Sequence, residues 1–395
     1  MPRLRELRVD SLRISGAPLL ALLLSPTLRL LDLSFGVENG EENRVRSPHV
    51  YTSILQILPD MAPDLEHFTY GSGFDLPVGQ NDLQSFAQFK RLHSLTTSPE
   101  MALNQHVLQV FSSVATLQTL SCCIDLSGIS ALVLPSDPFL QLTNIDLRAH
   151  SDHLLTFFRA CPFPNLVHIG LQITHPPSVS HPRDIFIALC QHCDPKLIKS
   201  FDVDVMYRFA ARPRSLMEYV EPLMALRNMG SFRLVFMYTE PSICDGDILR
   251  IGAAWPRLTR LNVDHHTTKY AQPDVAAPSL SAIVELARRC PALTFLVIPE
   301  LDPRALPEQS AVPALGHALR TLAIDNVLPP LSSQVFIDMA TILDRVFPSL
   351  DLKKALLLVG PYGKGWVDVL RLMEAMQLGR ANGAMYADLQ RDSEA

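Results

Sequence analysis

The sequence predicts an α/β leucine-rich-repeat solenoid, in which each repeat adds one strand to a curved parallel sheet and one helix to its convex side. Three observations carry this. The spacing L-x-x-L-x-L recurs, as in Leu166-Ile169-Leu171, Leu258-Leu261-Val263 and Leu293-Leu296-Ile298. An apolar-periodic run precedes these motifs and ends in phrases such as Arg288-Arg289-Cys290-Pro291, Ala160-Cys161-Pro162 or Trp255-Pro256. Prolines 2, 26, 63, 164, 195, 256, 291 and 348 each stand two residues before a leucine. Proline there ends the helix and holds the residue before it extended.

The chain has 395 residues, 48% hydrophobic and 19% charged, with a formal net charge of -6. That is enough apolar material for a large core, and a repeat array reaches this length as one body. The mild acidity argues against a nucleic-acid binder, which shows a basic stripe. The run Ala17 to Leu24 is too short and too late for a signal peptide or a membrane span, and no Asn-x-Ser/Thr acceptor occurs. Seven cysteines, mostly within apolar segments, read as reduced thiols of a cytoplasmic or nuclear protein.

In order, the first repeat is Leu4, Leu7, Val9, followed by a helical turn from Ala17 to Leu24 and the strand Leu28, Leu31, Leu33. Gly36 to Arg46 is polar and reads as a loop. Ser47-Pro48 reads as an N-cap with proline at the first helical position. The helix it opens carries Val50, Ile54, Leu55 and Leu58 and stops near Pro59. Leu65-Phe68-Tyr70 follows, then a glycine-rich loop from Gly71 to Gln80, then Leu92-Leu95-Thr97. A helix with Val107, Leu108 and Phe111 leads to Leu117-Leu120-Cys122. Leu142-Ile145-Leu147 precedes a helix with Leu154, Leu155 and Phe158.

The second half is looser. After Leu166-Ile169-Leu171 come a loop from Thr174 to Arg183, a helix from Asp184 to His192 and Ile198-Phe201-Val203. A longer helix is expected from Pro213 to Leu226, before Met229-Phe232-Leu234. Asp245 to Ala254 is the next helix, then Leu258-Leu261-Val263, a loop from His265 to Pro278, and the helix Ser279 to Arg289. Leu280, Ile283, Val284 and Ala287 share a face of that helix. Leu293-Leu296-Ile298 and Leu319-Leu322-Ile324 follow, then a helix near Gln334 to Val346 and Pro348-Ser349-Leu350. First leucines lie mostly 24 to 27 residues apart early (117 to 142, 142 to 166) and mostly 29 to 35 later (198 to 229, 258 to 293). Irregular periods of this size imply full helices on the convex side and insertions on the rim. About twelve or thirteen repeats therefore fill residues 1–352. In residues 353–395, Lys354 to Val359 reads as a strand, Gly360 to Gly365 as a turn, Trp366 to Leu378 as a capping helix, and Arg380 to Ala395 as a frayed tail.

The phrases RRCPALTFLVI, RACPFPNLVHIGLQI and WPRLTRLNV resemble the leucine-rich part of F-box/LRR proteins, above all the divergent fungal set. The resemblance runs from Leu4 to about Leu352. It implies substrate recognition for a ubiquitin ligase. Such proteins also carry an N-terminal F-box that docks the ligase adaptor. This chain enters its first repeat at Leu4, so the chain as given is expected not to bind that adaptor. An adaptor-independent scaffold and a GTPase-regulating repeat protein are the alternatives.

Two constellations could carry chemistry instead. Cys190-Gln191-His192-Cys193 is a C-x-x-C, but it sits at the end of a helix, where no dipole lowers a thiol pKa, and no second pair completes a zinc site. His265-His266 are adjacent, so in a strand they point to opposite faces. The turn Gly360 to Gly365 lacks the phosphate-loop spacing. No enzyme activity, cofactor or metal is expected.

The informative surface is the concave one. Residues flanking the second and third apolar positions alternate outward. This exposes Glu6, Arg8 and Asp10 in the first repeat, and later Asn144, Asp146, Arg148, His168 and Gln172. In the second half it exposes Asp202, Asp204, Arg233, Arg260, Asp264, Phe295, Val297 and Asp325. This half is modestly acidic and is expected to bind a basic or mixed-charge protein segment, with Phe295 as an apolar anchor and neither nucleic acid nor membrane as partner.

Overall fold

A computed structural model describes residues 4–394, except 14–15, 36–52, 73–83, 99–101, 130, 136–137, 175–181, 208–214, 239–240, 266–276, 329–331 and 359–362. The chain divides into two compact units, Met1–Ile198 and Lys199–Ala395.

Among the described residues the first unit holds eight parallel strands: β1 (Glu6–Leu12), β2 (Leu30–Phe35), β3 (His67–Ser72), β4 (Ser94–Thr97), β5 (Ala102–Leu103), β6 (Thr119–Ile124), β7 (Asn144–His150) and β8 (His168–Thr174). They lie in chain order, except that the two-residue β5 sits beside β6 off the main path. Its helices are α1 (Ala17–Leu23), α2 (53–61), α3 (Gln105–Ser112), α4 (Ser151–Ala160) and α5 (Pro182–His192). The second unit has parallel β9 (Ser200–Val205), β10 (Ser231–Phe236), β11 (Arg260–His265), β12 (Phe295–Leu301) and β13 (Thr321–Val327), again in chain order. Its helices are α6 (Leu216–Val220), α7 (Asp245–Ala254), α8 (Leu280–Arg289), α9 (Ser333–Val346), α10 (Leu352–Leu358) and α11 (Lys364–Glu394). This is the α/β leucine-rich-repeat class that the spacing predicts.

The repeat register explains the core. The middle leucine of each motif pairs with that of the next: Leu7, Leu31, Phe68, Leu95, Leu120, Ile145 and Ile169 in the first unit. Phe201, Phe232, Leu261, Leu296 and Leu322 form the same row in the second unit. All but Leu7 are buried, so each row is one continuous apolar spine. Backbone groups before each strand repeat one bond pattern: the Gly230 carbonyl accepts from Thr259 and Arg260 N–H, and the Thr259 carbonyl from Thr294 and Phe295 N–H. Thr259 and Thr294 hydroxyls donate to the same two carbonyls, at 2.7 and 3.0 Å. The prolines sit in the second position of tight turns, shown by Leu258 N–H to Trp255 O and Leu293 N–H to Cys290 O, both 3.0 Å. Each turn delivers the first leucine of the motif into the core.

Helix ends follow local chemistry. Ser279 accepts the Ala282 N–H and caps α8, while Arg288 and Arg289 lie in its last turn, against the negative end of the dipole. Asn104 caps α3 in the same way. Asp245, in the first turn of α7, accepts from both the N–H and the hydroxyl of Ser279, at 2.6 and 2.8 Å, and so ties one helix start to the next.

Four local expectations are corrected. α2 continues through Pro59 to residue 61. The missing N–H costs one bond in the last turn, and the buried ring contributes to the core. The helix expected from Pro213 to Leu226 is α6 followed by a 3-10 turn, Glu221–Ala225, because Pro222 cannot donate to the preceding turn. Lys354 to Val359 is not a strand: residues up to Leu358 form α10, whose first turn is capped by Asp351, which accepts the Lys354 N–H at 3.0 Å. The chain still holds repeat register one residue earlier, since Asp351 N–H donates to Arg320 O at 2.8 Å. Finally, α11 runs to Glu394 instead of fraying at Arg380. Arg380 is held by both carboxylate oxygens of Asp344 on α9, with Nη2 to Oδ1 at 2.8 Å. The Ser47-Pro48 cap, most of the four expected loops and residues 360–362 of the expected turn lie outside the described residues.

Candidate functional site

Strand alternation presents one side chain in two away from the helices. In the second unit the register sets these side chains in rows. Ser200, Ser231, Arg260, Phe295 and Thr321 form the first. Asp202, Arg233, Asn262, Val297 and Ala323 form the second, and Asp204, Val235 and Asp264 begin the third.

The acids and arginines expected here interact with one another. Arg233 donates to Asp202 Oδ1 at 2.5 Å, and its other Nη lies 2.9 Å from Asp204 Oδ1. The guanidinium therefore bridges two carboxylates on the adjacent strand. Burial alone would lower its pKa, but the hydrogen bonds to Asp202 and Asp204 outweigh that and raise it further. Arg260 stacks on Phe295, with its guanidinium carbon 4.3 Å from the ring centroid. Phe295 is thus half-buried under a cation, and Val297 beside it is buried, so the two do not form an open apolar step. On β11 the Asn262 and Asp264 side chains each bury one Oδ1 that has no hydrogen-bond donor among the described residues. Asp325 is half-buried on β13. Asp202 and Arg260 remain exposed.

In the first unit Asp146 and Arg148 are exposed on β7, and His168 on β8. Ser121 Oγ donates to Asp146 Oδ2 at 3.4 Å. Gly170 leaves room for this carboxylate, since a Cβ there would sit 2.9 Å from Asp146 Oδ1.

The C-x-x-C and the His pair are placed as follows. Cys190 lies in the last turn of α5 and Cys193 just beyond it, both half-buried. Burial pushes the Cys190 thiol up to about 12 and Cys193 to about 11. A thiolate nucleophile is disfavoured at both. His265 is buried at the end of β11, and His266 lies outside the described residues. Among the described residues no group of three or more His, Cys, Asp or Glu side chains is arranged to hold a metal ion. None of the described helices is long and apolar enough to cross a membrane. Cys244 is the exposed cysteine among those described. Iodoacetamide at pH 8 is therefore expected to modify Cys244 first in the native protein, with Cys190 and Cys193 at least about a hundredfold slower than free cysteine. Peptide mapping that found Cys190 or Cys193 modified first would overturn the assignment of inert thiols.

The Arg233 clamp and the Arg260–Phe295 stack are the features that composition alone does not reveal. The register does contain their signal. Asp202 and Arg233 occupy the same position of successive motifs, as do Arg260 and Phe295, so each pair must be cross-strand neighbours.

No family model matches the chain, and no curated protein matches it significantly. Among solved structures, the chain is similar to one described as the crystal structure of the Rad7 and Elc1 complex in yeast, with 16% identity over 70% of this chain and 74% of that one and a TM-score of 0.39.

Proposed function

We propose that this protein is a protein-interaction module whose second unit binds a basic or mixed-charge segment of a partner across the strand face that carries Asp202, Asp204, Arg233, Arg260, Asp264, Phe295 and Asp325. The observation that carries this reading is the in-register charged array. These side chains lie outside the leucine spine, and they face away from the helices. Acids outnumber arginines four to two on this face, and Arg233 is already neutralised by Asp202 and Asp204. The surplus is therefore negative, which favours encounter with cations. The Arg260–Phe295 stack supplies a flat, partly desolvated platform of the residue types enriched in interface hot spots. Substrate recognition for a ubiquitin ligase of the F-box type is the setting that the repeat phrases imply.

Proximity labelling in cells supplies the partner, and binding kinetics then test the face. Asp202→Lys with Asp204→Lys places two lysines beside Arg233 and should slow association by roughly tenfold or more, with a weaker dependence on salt. Phe295→Ala should leave association unchanged and speed dissociation. A partner that binds both variants as tightly as the parent protein would move the interface off this face. A captured partner that is not ubiquitinated in a manner dependent on this protein would remove the ligase setting while leaving the binding face intact.

A further inference from the structure

Among the described residues, β1 is an edge strand of the first unit's sheet. Among the described residues β1 pairs only with β2. Its apolar positions Leu7 and Val9 are half-buried, whereas their register partners Leu31 and Leu33 are fully covered. The same repeat also exposes its helix. Leu19 is 64% and Leu22 79% accessible, and they lie three residues apart on one face of α1. An unpaired strand edge beside exposed leucines is a template for association.

We infer that β1 pairs antiparallel with β1 of a second copy of this chain across a two-fold axis. The charge pattern of the strand argues for this occupant. Glu6, Arg8 and Asp10 alternate in sign on the helix-free face. In an antiparallel pair, residues directly opposite each other share a face, so only three two-fold registers keep the leucines together near the centre of the strand. Centring on Arg8 sets arginine against arginine and Glu6 against the partner's Asp10, which repels. Centring on Val9 sets Arg8 against the partner's Asp10, but that register runs into Ser11. There φ is 55° and the pairing with β2 shifts between Val9 and Leu12. Centring on Leu7 uses only residues 5–9, ahead of that irregularity. It sets Glu6 against the partner's Arg8 twice, and Leu7 against the partner's Leu7.

The backbone fits the same register. The Arg5 carbonyl faces β2, where it accepts from Arg29 and Leu30 N–H at 2.8 and 3.0 Å. By alternation Leu7 and Val9 also turn their backbone groups towards β2, and Glu6 and Arg8 turn theirs outward. In the Leu7-centred register, Glu6 and the partner's Arg8 exchange both N–H to C=O bonds, and the two-fold repeats the exchange. Leu7 then forms the close, non-hydrogen-bonded pair and lengthens the spine that runs through Leu31 and Phe68. A two-fold of this kind closes at two subunits.

Sedimentation equilibrium of the full chain over a dilution series tests this. The parent should be a dimer that dissociates on dilution. Arg8→Glu sets acid against acid at both ends of the pair and should weaken the dimer at least about tenfold, and Glu6→Arg should do the same. The charge swap Glu6→Arg with Arg8→Glu should restore dimerisation, because it rebuilds both pairs with reversed sign. Both residues are exposed, so the thermal midpoint at a concentration where each variant is monomeric serves as the folding control. A parent that stays monomeric throughout, single variants that dimerise like the parent, or a charge swap no tighter than the single variants would each overturn the inference.

Discussion

Leu296→Ala is expected to destabilise the second unit by about 2–5 kcal/mol, the cost of deleting a fully buried leucine without collapse of the cavity. Leu296 is 1% exposed and lies in the middle of the row Leu261–Leu296–Leu322. Its neighbours on both sides are paired strands, so the cavity cannot close without breaking register with one of them. Repeats support only their neighbours, so the damage should be graded along the chain. Hydrogen exchange should quicken from Leu258 to Ile324 first, and amides of β1 to β8 should keep their protection at denaturant concentrations where β11 to β13 have lost it. Unchanged protection between Leu258 and Ile324, with a lowered global midpoint, would mean that Leu296 does not sit in a repeat spine.

The strands were legible because their period is redundant. Eleven motifs repeat the same three apolar offsets and a twelfth, Leu92-Leu95-Thr97, keeps two of them, and a strand buried on one face cannot slip by one residue without exposing all of them. The turn prolines added a second, independent marker of where each motif starts. The elements that escaped lie where that redundancy ends. KALLLV is a short apolar run without alternation, and periodicity alone does not separate strand from helix there. Asp351, three residues before Lys354, was the available helix signal, since aspartate at an N-cap satisfies an orphan N–H. Pro59 reads as a stop, yet so near a helix end it removes only one bond, whereas the helix expected across Pro222 overlooks the donor lost there, and the chain tightens into a 3-10 turn. That α11 carries Arg380 onto Asp344 is a contact between positions thirty-six residues apart that no local pattern encodes. On the candidate face, the residue types and their neighbours were readable from register, but their engagement was not. That Arg233 turns to Asp202 and Asp204, and that Arg260 lies on Phe295, depends on side-chain reach. Val297 and Thr321 sit at outward positions and are nonetheless buried.

Trp366→Ala should cost about 3–5 kcal/mol, and its damage should begin at the opposite place from an interior repeat. β13 has β12 on one side, and on its other side the repeat path ends. Asp351 takes up the backbone bond that a further strand would begin with, and the chain then turns into α10, which packs on β13. α11 packs on α9, on α10 and on β13, and presents Trp366, Val369, Leu370 and Met373 as its buried stripe. Trp366 is the largest of these and is fully buried, so its removal leaves the biggest void under the cap. Its indole Nε1 has no hydrogen-bond acceptor among the described residues, so Trp366→Phe loses no bond and should retain most of the stability. Loss of the cap exposes the β13 edge, whose unpaired backbone groups then invite association with other chains. Exchange in the alanine variant should therefore rise first in β13, then β12, with β9 last, and light scattering on warming should appear below the parent's transition. Unfolding of the alanine variant at the parent's urea midpoint, without early exchange at Thr321 to Val327, would show that α11 is not the cap of the second unit.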